Sequence, residues 1–98
     1  MNYNEVQTIL RQHRPELDAC GVASIGIFGS VARGDAHERS DVDVLVEFAG
    51  PASFDRYMDV VLLLQEWLGR RVDVITPRSL ARRPEWRDQV LAEVRRVA

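Results

Sequence analysis

The chain has no lysine; all 13 of its basic residues are arginine. That absence removes the Walker-type phosphate loop, whose lysine reaches the β- and γ-phosphates. A single cysteine, Cys20, leaves no internal disulfide and no cysteine-rich zinc site. No apolar run of about 18 residues and no signal-peptide pattern is present, so the expectation is a cytoplasmic protein without a membrane span. Net charge is −2, so the basic footprint of a protein that binds nucleic acid by itself is missing, which argues against a polymerase. Repeats and low-complexity tracts are absent. Ninety-eight residues suit one domain, 1–98, which buries about 60–65% of its unfolded surface and has room for one core.

Against those absences stands one dense stretch. Val22 to Phe28 is rich in β-branched and apolar residues and reads as a strand; Gly29-Ser30 follows, and Ser30 to Arg33 can wind into a helical turn. Glycine at such a corner lets the backbone approach a ligand, the Ser30 hydroxyl adds a donor, and free N–H groups favour an anion such as phosphate. Ten residues on, Asp41-Val42-Asp43 opens a second strand. Period-2 alternation puts Val42, Val44, Val46 and Phe48 on one face and Asp41 and Asp43 on the other. By themselves two such carboxylates are equally read as a solvated strand end or as ion pairs with arginines.

A third acid shifts the balance. Arg71 to Ile75 is another short strand with Asp73 between two valines. If the two strands are neighbours, three aspartates converge, and at an effective dielectric near 20 each like-charged pair at ~4–5 Å costs roughly 3–4 kcal/mol. A divalent cation relieves such a cluster, and oxygen ligation with substrate phosphates is the pattern of Mg²⁺. Competing motifs fail on detail. A dinucleotide fingerprint needs Gly-x-Gly, whereas glycines fall at 26, 29 and 34. An EF-hand begun at Asp41 would place Ala52 at the bidentate glutamate position. A phosphatase of the haloacid-dehalogenase type has its D-x-D at the end of an apolar strand, and here the apolar residues follow the motif.

Gly29-Ser30-Val31-Ala32-Arg33-Gly34, Ser40-Asp41-Val42-Asp43 and Asp73 together resemble the minimal nucleotidyltransferases of the DNA polymerase β superfamily, over nearly the whole chain. The resemblance implies an α/β fold, a polymerase-β-like palm with a small mixed three-stranded sheet flanked by helices. It implies that Asp41 and Asp43 bind two Mg²⁺ ions, that Asp73 binds the catalytic ion and orients or deprotonates the attacking hydroxyl, and that Gly29 and Ser30 hold the β- and γ-phosphates of a nucleoside triphosphate, ATP first. Two further assignments are two-sided. Ser40 either donates to phosphate or caps the turn before the strand; Arg33 either contacts phosphate or pairs with Asp35 or Glu38. Minimal members of the family accompany HEPN-domain ribonuclease toxins, so the implied role is an antitoxin that transfers AMP to a tyrosine of that partner. A second reading is an ATP-binding module that silences its partner by occupying it. A third, a small-molecule nucleotidyltransferase, is disfavoured because the chain lacks an added acceptor domain. The nucleobase and the oligomeric state, a homo-oligomer included, stay open.

The rest reads as scaffold. Asn4 caps a first helix with stripe Val6, Ile9, Leu10, interrupted at Pro15. Ser53 caps a helix whose stripe is Phe54, Tyr57, Met58, Val61, Leu64, Trp67 and Leu68, broadened by Val60 and Leu62 and stopped by Gly69. Arg78 to Arg83 reads as a basic link. From Pro84 a last helix carries Trp86, Val90, Leu91, Val94 and Val97, with Arg95 and Arg96 in its final turn, and its stripe either covers the sheet or docks a partner. The expected arrangement is helices on the back of the sheet with the aspartates on or beside its open face.

Overall fold

The computed structural model describes residues 1–37 and 39–98. Its elements run α1 (Tyr3–Gln12), α2 (Arg14–Ala19), β1 (Val22–Phe28), α3 (Gly29–Arg33), β2 (Val42–Phe48), α4 (Phe54–Leu68), β3 (Val72–Ile75), α5 (Pro77–Ala81), α6 (Pro84–Glu93) and β4 (Arg95–Arg96). Among the described residues the sheet has four strands, in the order β3-β2-β1-β4, not three. β2 and β3 are parallel, β1 antiparallel to both β2 and β4. A parallel neighbour needs a crossover, and α4 supplies it, packed on the back of the sheet.

Alternation decides which face each strand buries. Val42, Val44 and Val46 join Ile25, Ile27 and Val74 in a core closed by Val6, Leu10 and Leu17 from α1 and α2 and by Val60, Leu64 and Leu68 from α4. The α4 stripe is therefore rotated from the expected one: Val60 lies at its centre and Phe54 is 74% exposed. Apolar residues on nearly every side of this helix left the rotation ambiguous in the sequence. Its ends are as expected, with the Ser53 hydroxyl accepting from the Arg56 N–H at 3.1 Å and Gly69 in the left-handed region. Trp67 packs against the core, stacked on His13 with ring centroids 4.0 Å apart. The cap of α1 is Asn2, not Asn4; its side chain accepts from the Glu5 N–H at 2.9 Å. Pro15 ends nothing by itself and sits in the first turn of α2, where its missing N–H costs no helical hydrogen bond.

The other face of the sheet is not open. Phe28, Leu45 and Ile75 point there and are covered by Leu80 of α5 and by Trp86 and Val90 of α6, a second small core. The segment read as a basic link thus forms α5, opened by Pro77 and capped by the Thr76 hydroxyl, which accepts from the Ser79 N–H at 3.2 Å. The C-terminal stripe covers the sheet, as one of its two readings had it, but the helix stops at Glu93. Val94 turns extended, Arg95 and Arg96 pair with Ile27 and Gly26, and Val97 donates to the Ile25 carbonyl at 2.9 Å. Gly26 permits this: a Cβ there would press on the Val94 side chain.

At the opposite edge, β3 is held from outside by Tyr57, whose hydroxyl donates to the Val74 carbonyl at 2.8 Å. Removing that hydroxyl leaves a part-buried carbonyl without its donor. Tyr57→Phe should cost about 1 kcal/mol and lower the melting temperature by about 4–8 °C, with faster amide exchange confined to β3. An unchanged melting curve would show the edge is held by packing alone.

Candidate active site

The site is built where three strand ends meet the α3 turn. Phe28 faces Asp43 across the β1–β2 pair, and Asp43 faces Asp73 in register across the parallel β2–β3 pair. Side chains in register on one face stand as neighbours, so Asp43 and Asp73 are brought side by side at the uncovered end of the front face. Asp41 lies two positions before Asp43, one residue ahead of β2 and exposed. Among the described residues no three of His, Cys, Asp and Glu stand close enough to hold a metal ion by themselves. Asp41 nonetheless acts on Asp43 through its charge.

Charge tells the same story. Asp43 is half-buried, and its carboxyl is pushed up to about 6, first by burial, then by Asp73 and by Asp41, with Glu93 adding to the rise and Arg33 opposing it. The Tyr57 phenol is also raised, by burial and then by Asp73. Like charges crowd Asp43 in a partly desolvated spot and disfavour its ionisation.

Gly29 closes the site from the β1 side. It takes φ +73°, a conformation that an L side chain rarely adopts, and a Cβ on it would run into the Asp43 carboxylate. The turn and the carboxylate therefore occupy the same few ångströms. The Gly29 N–H donates to Glu93 Oε1 at 3.3 Å, and Arg33 Nη1 donates to the same oxygen at 3.0 Å. Arg33 Nε donates to Asp35 Oδ2 at 3.3 Å, the surface pair foreseen for it; Glu38, the other partner foreseen, lies outside the described residues. Ser30 is half-buried in the first turn of α3, its carbonyl accepting from the Gly34 and Asp35 N–H groups. Ser40 caps the turn before β2: its hydroxyl accepts from the His37 N–H at 2.9 Å and its own N–H donates to the His37 carbonyl at 3.0 Å.

Glu93 was not among the residues singled out from the sequence. It reads there as one more polar position on the last helix, and only the β1–β4 pairing, which pulls the end of α6 across the sheet, brings it to Gly29. A cavity of about 190 Å³ remains between Phe28, Gly29, Arg33, Asp43, Trp86 and Gln89. A larger hollow of about 480 Å³ lies at the other end of the strands, between Phe48, Phe54, Tyr57 and Arg78, and none of the three aspartates lines it. The first is lined by Asp43, Arg33 and Glu93 and is the candidate site; Asp41 and Asp73 stand outside its lining.

With that geometry in view, the likenesses are informative. A model of the nucleotidyltransferase domain matches residues 4–97. The chain is 41% identical over 81 residues to the protein adenylyltransferase MntA of Thermococcus cleftensis, covering 82% of each chain. A solved structure described as a candidate minimal nucleotidyltransferase superposes with a TM-score of 0.81 at 35% identity, over 97% of this chain and 95% of that one. The complex of a tri-AMPylated Shewanella oneidensis HEPN toxin with its MNT antitoxin shares the fold at a TM-score of 0.65 and 18% identity, over 95% of this chain and 71% of that one. The chain belongs to the nucleotidyltransferase domain family, in its minimal form, and is a nucleotidyltransferase. No helix among the described residues is long and apolar enough to cross a membrane.

Proposed function

We propose that the protein transfers AMP from ATP to a hydroxyl of a partner protein, in the first place a tyrosine of a HEPN-domain toxin, and acts in the cytoplasm as its antitoxin. The observation that carries this reading is the in-register pairing of Asp43 with Asp73 beneath the Gly29 turn. Hard oxygen ligands, two carboxylates in register and a third two positions before the first of them, fit Mg²⁺, which usually takes one or two carboxylates and completes its sphere with water and substrate phosphates. The raised Asp43 carboxyl supports the fit, since crowded acids are what a cation would neutralise. Asp41, Asp43 and Asp73 would hold two such ions. When bound, the metal supplies neutralisation of the triphosphate and a more acidic attacking hydroxyl.

The chain's own residues do the rest. Gly29, Ser30 and Arg33 hold the β- and γ-phosphates, and Ser40 fixes the turn that delivers Asp41. Asp73 accepts the proton as the tyrosine oxygen bonds to the α-phosphorus; the bond from that phosphorus to the β-phosphate oxygen breaks and pyrophosphate leaves. Holding donor and acceptor in line supplies much of the rate, because the reaction asks for position and charge more than for covalent chemistry.

The test is intact-mass measurement of a HEPN-type partner incubated with this protein, Mg²⁺ and ATP. The expected outcome is one or more AMP adducts on the partner, reduced more than about 100-fold in Asp41→Asn, which has an exposed side chain and should keep its circular dichroism spectrum. A stable, silencing complex without any adduct would replace the transferase role toward that partner with inhibition by occupancy.

A further inference from the structure

Glu93 sits where the proposed function needs a phosphate. Its Oε1 takes the Gly29 N–H at 3.3 Å and the Arg33 guanidinium at 3.0 Å, the same backbone and side-chain donors assigned above to the triphosphate. A carboxylate oxygen and a phosphate oxygen make equivalent demands on such donors. The side chain is 22% exposed, it belongs to the last residue of α6, and the next residues are anchored to β1 by the pairing of Arg95 and Arg96 with Ile27 and Gly26. Glu93 is therefore delivered by the fold to this point, not left to sample the surface. Arg33 also pairs with Asp35 through its Nε, so one of its contacts does not depend on Glu93.

We propose that Glu93 is an internal competitor for the nucleotide: its carboxylate occupies the Gly29 and Arg33 donors in the free protein, and the triphosphate binds by displacing it. The inference rests on the nucleotide reading of the site and goes beyond it, because it makes the end of α6 a determinant of nucleotide affinity. Two effects act in one direction. The triphosphate must break two hydrogen bonds that already exist, and it must approach an acidic group that adds to Asp41, Asp43 and Asp73.

The experiment measures the dissociation constant of the Mg²⁺ complex of AMP-PNP, at one pH and ionic strength, for the wild type, Glu93→Ala, Glu93→Gln, Arg33→Ala and the Glu93→Ala/Arg33→Ala pair. Glu93→Ala should bind about tenfold more tightly. Glu93→Gln, which keeps the shape and an acceptor oxygen but no charge, should lie between it and the wild type. Arg33→Ala should bind more weakly, and the gain from Glu93→Ala should be roughly halved in its background, because the two residues act through one set of bonds. Equal or weaker binding by both Glu93 variants overturns the competitor role while leaving the nucleotide site standing. A gain that persists undiminished without Arg33 overturns it too, reducing Glu93 to one more repelling charge. Failure of every variant to bind, the wild type included, would sink the nucleotide reading and this inference with it.

Discussion

Asp43→Asn is expected to abolish nucleotidyl transfer and at the same time to stabilise the metal-free protein at neutral pH. The two effects have one cause. The Asp43 carboxyl is raised from 3.8 to about 6 in the folded chain, so the native state holds its proton more tightly than the unfolded state does. Below pH ~4 both states are protonated and the group is neutral to folding. Between ~4 and ~6 the unfolded chain ionises first, and stability falls as pH rises; above ~6 the native state carries the full cost of a charge it would rather lack. Two units correspond to about 3 kcal/mol at most, and a half-solvated carboxylate screened by water should realise only about 1 kcal/mol of it. Asn keeps the shape without the charge. At pH 7.5 and without divalent cation, the variant should melt about 4–8 °C above the wild type, and the gap should close on titration toward pH 4. Added Mg²⁺ should raise the melting temperature of the wild type and not of the variant. A variant less stable than the wild type at pH 7.5 would mean that Asp43 is already neutralised by its surroundings, and the case for a cation site would lose its electrostatic support.

A carboxylate that costs stability where it stands is the kind of feature a sequence shows well. Asp41 and Asp43 take the second face of a valine alternation, and Asp73 sits between two valines, so charge on a strand pattern was visible without coordinates, as were Ser53, Gly69 and the Gly29-Ser30 corner. What escaped depends on contacts across long separations. Arg95 and Arg96 suit the last turn of a helix by charge, and nothing local distinguishes that from a two-residue strand; their extended state is set by β1, where Gly26 leaves space for Val94. Once that strand is missed, α6 stays at the back of the sheet and Glu93 stays on the surface. The same displacement explains why the front face was expected to be open, although Phe28, Leu45 and Ile75 were all available to be covered. Asn2 and Asn4 illustrate a smaller ambiguity: both precede the periodic stretch, and the Asn2-to-Glu5 spacing decided between them.

Gly29→Ala should be more damaging than its size suggests, and a second substitution should show why. Alanine at φ +73° is strained by about 1–2 kcal/mol, and its methyl group would meet the Asp43 carboxylate, a short side chain rooted in β2, in the middle of the sheet, with little freedom to move away. The clash adds about 1–3 kcal/mol of overpacking, so the single variant should lose roughly 2–5 kcal/mol in denaturant unfolding. Truncating the neighbour removes the second part alone. In an Asp43→Ala background, Gly29→Ala should cost only its backbone strain, giving a favourable interaction energy of about 1–3 kcal/mol in the double-mutant cycle. Activity separates from stability in the same set, because neither the single variants nor the pair should transfer AMP, the first for want of room at the turn and the others for want of a carboxylate. Additive stabilities would place the whole cost in the backbone of the turn. A large favourable coupling with activity absent throughout would instead show that the glycine is there for the aspartate: the turn and the Asp43 carboxylate fit together only while residue 29 has no side chain.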